Sequence, residues 1–151
     1  MTSPEPMPYL LDLNLVIALV TEDHMHHSAA MEWFDTPELI WALCAFTEAG
    51  LLRFLTHPKM RNLPMDEGVA ILASLKGQPG CQYVPVIADW QEVTAPFAAR
   101  LHGHNQITDA FLLGIAIREG FILATFDKAF LHMAGEHRQH VHVLEGKKAR
   151  A

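Results

Sequence analysis

Apolar residues recur along this chain in short runs that alternate with longer, helix-length stretches. Tyr9-Leu10-Leu11 is a compact apolar run that stops at Asp12, and after Asn14 the segment 15–20 is apolar throughout, which predicts strand, turn and helix. A second helix is expected over 24–34, with Trp33 and Phe34 on its buried side. Residues 39–43 read as the next strand and 44–56 as the next helix, stopped near Pro58. Pro64 opens a helix over 65–75 that ends around Gly77. The segment 82–86 predicts a short strand whose Pro85 marks a strand end or a sheet edge. Residues 89–101 have helical character interrupted by Pro96. A long apolar helix then starts at Ile107, followed by a strand over 121–126, a short helix over 128–133 and a last strand at Val141-His142-Val143. Strands alternating with helices predict an α/β fold: three α/β/α layers around a mostly parallel sheet of roughly four to five strands. With no internal repeat and no low-complexity linker, residues 1–151 are expected to form one domain, its core about 8–144 and a short polar tail at 145–151.

The pattern also places acidic residues. Gly120 stands where the Ile107 helix must end, and glycine tolerates the left-handed conformation common there. From Asp109 to Glu119 a helix advances ~15 Å at ~1.5 Å per residue. From Phe121 to Phe126 a strand covers ~17 Å at ~3.3 Å per residue. If the two run antiparallel, the chain returns to its starting height, and Asp109 and Asp127 share one edge. Sites in open α/β sheets form at the carboxyl ends of strands. Asp12, Asp127 and Glu48 lie at or just beyond such ends, so four carboxylates from four segments converge.

Asp12, Asp109 and Asp127 each stand near a helix start, where Asp is also a favoured cap or first-turn residue. Glu48 does not fit that account. It lies in Ala45-Phe-Thr-Glu-Ala-Gly-Leu-Leu-Arg-Phe-Leu55, apolar on most sides, and Arg53 does not share its face. A buried carboxylate without a partner costs several kcal/mol, so something else must satisfy Glu48, and a metal shared with the aspartates is one candidate. Two like charges ~4 Å apart cost roughly 4 kcal/mol at an effective dielectric of ~20. Clustered carboxylates therefore call for cations, and hard oxygen donors select Mg²⁺ or Mn²⁺. Such ions activate water and steady a leaving oxygen in phosphodiester cleavage.

Composition narrows the picture further. The formal charge of −6 counts against a broad nucleic-acid surface but not against a local site. Half the residues are hydrophobic, as in a globular chain. No apolar run approaches a membrane span, the segment 1–8 lacks the pattern of a secretory signal, and Cys44 and Cys81 are isolated, so a cytoplasmic protein is expected.

In order along the chain, Leu11-Asp12-Leu13-Asn14, Phe46-Thr47-Glu48-Ala49-Gly50-Leu51-Leu52-Arg53, Ile107-Thr108-Asp109-Ala110 and Ala124-Thr125-Phe126-Asp127 resemble the four acidic motifs of PIN-domain ribonucleases. More narrowly, they resemble the VapC toxins of VapBC toxin–antitoxin pairs. The segment His24-Met-His26-His27, with Ala29 and Trp33, is similar to a stretch after the first motif in one VapC group. The resemblance runs from about Tyr9 to Val143; residues 62–92 match only as generic helix and strand. It implies a PIN-like fold and a Mg²⁺-dependent (or Mn²⁺-dependent) endoribonuclease. Asp12 and Asp109 would be direct metal ligands, with Glu48 and Asp127 completing the pocket through metal or its waters. Asn14, Thr108 and Thr125 would orient those carboxylates. It further implies hydrolysis of tRNA or rRNA, a VapB-like antitoxin laid across the acidic edge, and a homodimer or a larger complex with antitoxin. The apolar helices over 15–20 and 51–55 would offer faces for these partners.

The remaining polar clusters are read separately. His102 and His104 lie just upstream of Asp109 and are candidate RNA contacts. His24, His26 and His27 lack the matching pair of a zinc site and read as packing residues. His137, His140 and His142 belong to the surface and last strand, and Lys147, Lys148 and Arg150 to a solvated basic end. Two other readings are carried: a catalytically weak PIN-like binding module, and a metal-dependent phosphatase of the haloacid-dehalogenase type. That second class needs an aspartate two residues after its nucleophile, where this chain has Asn14.

Overall fold

The computed structural model describes residues 7–146. Its elements in chain order are β1 (Tyr9–Leu11), α1 (Leu13–Val20), α2 (His27–Phe34), β2 (Trp41–Ala42), α3 (Ala45–Thr56), α4 (Met65–Lys76), β3 (Cys81–Gln82), α5 (Trp90–Thr94), α6 (Ile107–Glu119), β4 (Ile122–Thr125), α7 (Ala129–Ala134) and β5 (Val141–Val143). Short 3₁₀ segments span Ala95–Arg100, His104–Gln106 and Gly135–His140. The five strands form one sheet in the order β3-β2-β1-β4-β5, and every pairing is parallel. The expected α/β fold and parallel sheet are therefore present.

Alternation along the strands sends side chains to two cores. Leu10, Ala42 and Leu123 face one cluster with Val93, Phe97, Leu113, Ile115 and Phe130, under α5, α6 and α7. Leu11, Trp41 and Ala124 face the other, under α1 to α4. Three layers result because a sheet buried on both faces needs helices on both.

Element ends depart from the sequence expectation where a backbone group has a better local partner. Helix α2 starts at His27 rather than at 24, because His24 and His27 close successive turns onto Thr21 and His24 and His24 Nδ1 accepts the His26 N–H. Strand β3 stops at Gln82, before Pro85, which has no N–H to give a ladder. Pro96 divides the expected 89–101 helix into α5 and a 3₁₀ segment. Helix α6 ends as expected at Gly120, whose φ is 76°.

One expectation is overturned. The helices over 15–20 and 51–55 do not keep free apolar faces for partners: Leu15, Val16, Ala18, Leu19, Leu51 and Leu55 are all buried in the core. No helix among the described residues is long and apolar enough to cross a membrane.

The strand order matters for the site. From β1 the chain steps outward to β2 and β3, then returns to the other side of β1 for β4 and β5. The direction of winding therefore reverses between β1 and β4. Helices diverge there, leaving a crevice at the carboxyl ends of the two strands.

Candidate active site

The sheet register builds the site. Leu11 pairs with Ala124, so the residues that follow, Asp12 and Thr125, become neighbours at the switch point. The Asp12 N–H donates to the Ala124 carbonyl at 2.9 Å. Asp12 is only 6% exposed and Thr125 is fully buried.

Thr125 is the hub. Its Oγ1 donates to Asp12 Oδ2 at 2.7 Å, and accepts the Asp127 N–H at 3.0 Å and Asn14 Nδ2 at 3.3 Å. One hydroxyl has one proton and two lone pairs, so this use is complete. Asn14 Oδ1 in turn accepts the Phe126 N–H at 3.3 Å. A single turn of α1 is thus tied to the end of β4, and Asp12 and Asp127 are held in one frame. Of the residues expected to support the carboxylates, Asn14 and Thr125 do so; Thr108 is exposed on the first turn of α6, outside this network.

The aspartate charges interact. Burial pushes the Asp12 carboxyl up from 3.8 to about 6, opposed by the Thr125 and Leu13 hydrogen bonds and reinforced by the charges of Asp109 and Asp127. Asp109, half-buried in the first turn of α6, is raised first by burial and then by Asp127. The lengths of α6 and β4 put Asp109 and Asp127 at one edge, and the charge of Asp127 felt at Asp109 agrees with that placement. Asp12 and Asp127 also serve helix starts: Asp12 Oδ1 accepts the Leu13 N–H at 2.8 Å, and Asp127 Oδ1 accepts the Ala129 N–H at 2.9 Å.

Glu48 is placed differently. Its Oε1 lies 2.5 Å from Lys76 Nζ, and it is not among the charges that raise Asp12 or Asp109. Its charge instead reaches Cys44 and Cys81. The pair lines a groove of about 380 Å³ with Gln82, Tyr83 and Val84. Lys76 is the partner that sequence reasoning missed. It stands at the end of α4 in no recognisable motif, and only the packing of α4 on α3 brings it to Glu48.

Among the described residues, no three His, Cys, Asp or Glu side chains stand close enough to ligate one ion together. The donor set therefore does not suit a closed cage of protein ligands. It does suit Mg²⁺ or Mn²⁺, because Mg²⁺ keeps several waters and typically takes one or two carboxylates. Neighbouring aspartates are also groups whose repulsion a divalent cation relieves.

The histidines divide. His102 and His104 are exposed on the approach to α6, where the His102 N–H donates to Gln106 Oε1 at 2.6 Å. His27 Nδ1 is 2.7 Å from the Ala18 carbonyl, and His26 stacks on Phe126 with ring centroids 4.8 Å apart. His24 and His27 thus close turns and join helices as packing residues, and His26 braces the residue before Asp127. His142 packs edge-on against Tyr9. Lys147, Lys148 and Arg150 lie outside the described residues.

A doubly wound α/β domain with interacting aspartates at its switch point belongs to the class of acid-centred sites built on strand ends. The chain belongs to the PIN-domain family, whose model matches residues 9–136, and within it to the group named Ribonuclease VapC. Ribonuclease VapC38 of Mycobacterium tuberculosis (strain ATCC 25618 / H37Rv) is 36% identical over 130 residues, covering 83% of this chain and 89% of that protein. Ribonuclease VapC39 of the same strain is 32% identical, covering 85% and 94%. Ribonuclease VapC44 is 29% identical over 142 residues, covering 91% and 100%. Among solved structures, a chain of VapBC2 from Rickettsia felis, bound to a DNA fragment from their promoter, superposes with a TM-score of 0.62 at 14% identity, covering 93% of this chain and all of that one. That last likeness is one of fold.

Proposed function

We propose that this chain is a Mg²⁺-dependent endoribonuclease, the toxin of a toxin–antitoxin pair. The observation that carries the reading is the raised proton affinity of Asp12 and Asp109, with Asp127 acting on both, at the switch point of a VapC-type PIN domain. Asp12 and Asp109 are the residues to hold the cation; Asp127 and Glu48 complete the acidic edge through its waters. The cation supplies an activated water for attack on an RNA phosphodiester. Thr125 and Asn14 keep the Asp12 and Asp127 carboxylates oriented, so no reorganisation is needed when substrate arrives. His102 and His104 flank the approach to Asp109 as RNA contacts.

The partners in this reading are a VapB-like antitoxin, a tRNA or rRNA substrate and a second copy of the chain. The names of the relatives support the nuclease activity. The VapBC2 assembly supports the antitoxin by analogy alone. Asp12→Ala and Asp109→Ala are expected to abolish Mg²⁺-dependent cleavage of an RNA oligonucleotide while circular dichroism still shows a folded chain. Undiminished cleavage by either folded variant refutes the role of that aspartate in holding the cation. RNA binding without cleavage by the wild-type chain, freed of any partner and supplied with Mg²⁺, would instead favour a binding module.

A further inference from the structure

We propose that Lys76 is a positioning residue of this site: without a cation it holds Glu48 on the β3 side of the sheet edge, and it releases Glu48 when the aspartates take a divalent ion. The inference rests on the metal-dependent reading above and adds to it a resident counter-charge that the metal must displace.

Glu48 is in the first turn of α3 and Lys76 is the last residue of α4. The two helices pack closely where Gly68 meets Thr56, since a Cβ on Gly68 would already stand 3.2 Å from Thr56 Cγ2. The Lys76 ammonium touches Glu48 Oε1 at 2.5 Å, with the side chains 45% and 20% exposed. At the end of α4 the ammonium is also favoured by the helix dipole. On the other side of Glu48, the charges of Asp109 and Asp127 already oppose ionisation of Asp12, and Asp127 that of Asp109. A fourth carboxylate brought among them without a cation would add like-charge repulsion of the same kind. Pairing with Lys76 avoids that repulsion and leaves Glu48 one side-chain rotation from the aspartates. A divalent ion reverses the balance, because it attracts all four carboxylates together.

Mn²⁺ binding, read from the electron paramagnetic resonance of the free ion with no RNA present, tests this directly. Lys76→Met keeps the aliphatic stem and removes the charge. It is expected to bind Mn²⁺ about threefold to fivefold more tightly than wild type, the scale of a partly exposed ion pair. Lys76→Arg is expected to stay within about twofold of wild type, since the charge is kept. In a Glu48→Gln background, Lys76→Met is expected to change nothing. A general effect of deleting a positive charge would persist in that background, and its persistence would overturn the proposal. So would unchanged or weaker binding by Lys76→Met in a chain that binds Mn²⁺ through Asp109. If wild type and Asp109→Asn bind Mn²⁺ alike, or neither binds, the metal-dependent reading itself fails and takes the inference with it.

Discussion

Replacing Thr125 with valine removes one oxygen and leaves the side chain's shape. The position is fully buried, so the loss is of hydrogen bonds and not of packing. Three bonds go together: the donor to Asp12 Oδ2, and the acceptor for the Asp127 N–H and Asn14 Nδ2. The first is the strongest, since a hydrogen bond to a charged group contributes ~1.5–3 kcal/mol. In proton affinity that is about 1 to 2 pH units, at about 1.36 kcal/mol per unit. Asp12, already raised to about 6, should titrate higher still in Thr125→Val. Because the folded-state value lies above the unfolded one, folded protein binds the extra proton between the two. Stability therefore falls as pH rises from about 4 to about 6 in the wild type, by ~3 kcal/mol for this group alone. In Thr125→Val the decline should continue to higher pH. The assay is ¹³C carboxyl NMR titration in EDTA, with Asp12→Asn to assign the resonance, alongside urea unfolding from about pH 4.5 to 8, a window that spans the folded and unfolded values. If Asp12 titrates near 3.8 in wild type, or if Thr125→Val leaves it unmoved, the hub is not what sets the charge state of this carboxylate.

Two glycines give further tests. In α6 a Cβ on Gly114 would collide with the Val93 side chain and carbonyl of α5. Gly114→Ala is expected to lower stability by ~1–3 kcal/mol through forced displacement, seen as a lower urea midpoint; an unchanged midpoint would show that α5 yields freely. Gly120 has open space around its Cβ position but a φ of 76°. Gly120→Ala should cost ~1 kcal/mol from backbone strain alone, and a neutral thermal melt would contradict that.

What the sequence made legible was whatever depends on local pattern. The runs at Tyr9–Leu11 and Ile122–Thr125, with Gly120 ending α6, set the direction of the chain and the height of Asp109 and Asp127. Strands β2 and β3 came out shorter than their apolar runs because strand length depends on the neighbouring ladder, and the two pair with each other over only two residues. Glu48, set in an apolar helix, did demand a partner. Which partner was not legible, because a lysine at the end of another helix carries no signal in the local pattern. The same holds for the Thr125 network, whose bonds join Asn14 to residues more than a hundred positions away. Such contacts follow from the β1–β4 register and are invisible until the strands are paired.

Capping and ligation looked like competing explanations for the aspartates, and the geometry shows why they are compatible. A strand that ends at the switch point is followed at once by a helix, so one carboxylate can spend an oxygen on a helix-start N–H and still face the crevice. Asp12 and Asp127 each do so. Asp109 is the exception: it accepts no hydrogen bond among the described residues, and the residue before α6, Gln106, makes no side-chain cap. Its half-buried carboxylate costs the fold and returns no structural contact. That makes Asp109 the residue where function and folding separate most cleanly. Asp109→Asn should hold or slightly raise the urea midpoint without metal, because it deletes a repelled charge, whereas Asp12→Asn also disturbs the Thr125 hub and should lower it. A lower midpoint for Asp109→Asn would mean that this carboxylate supports the fold after all.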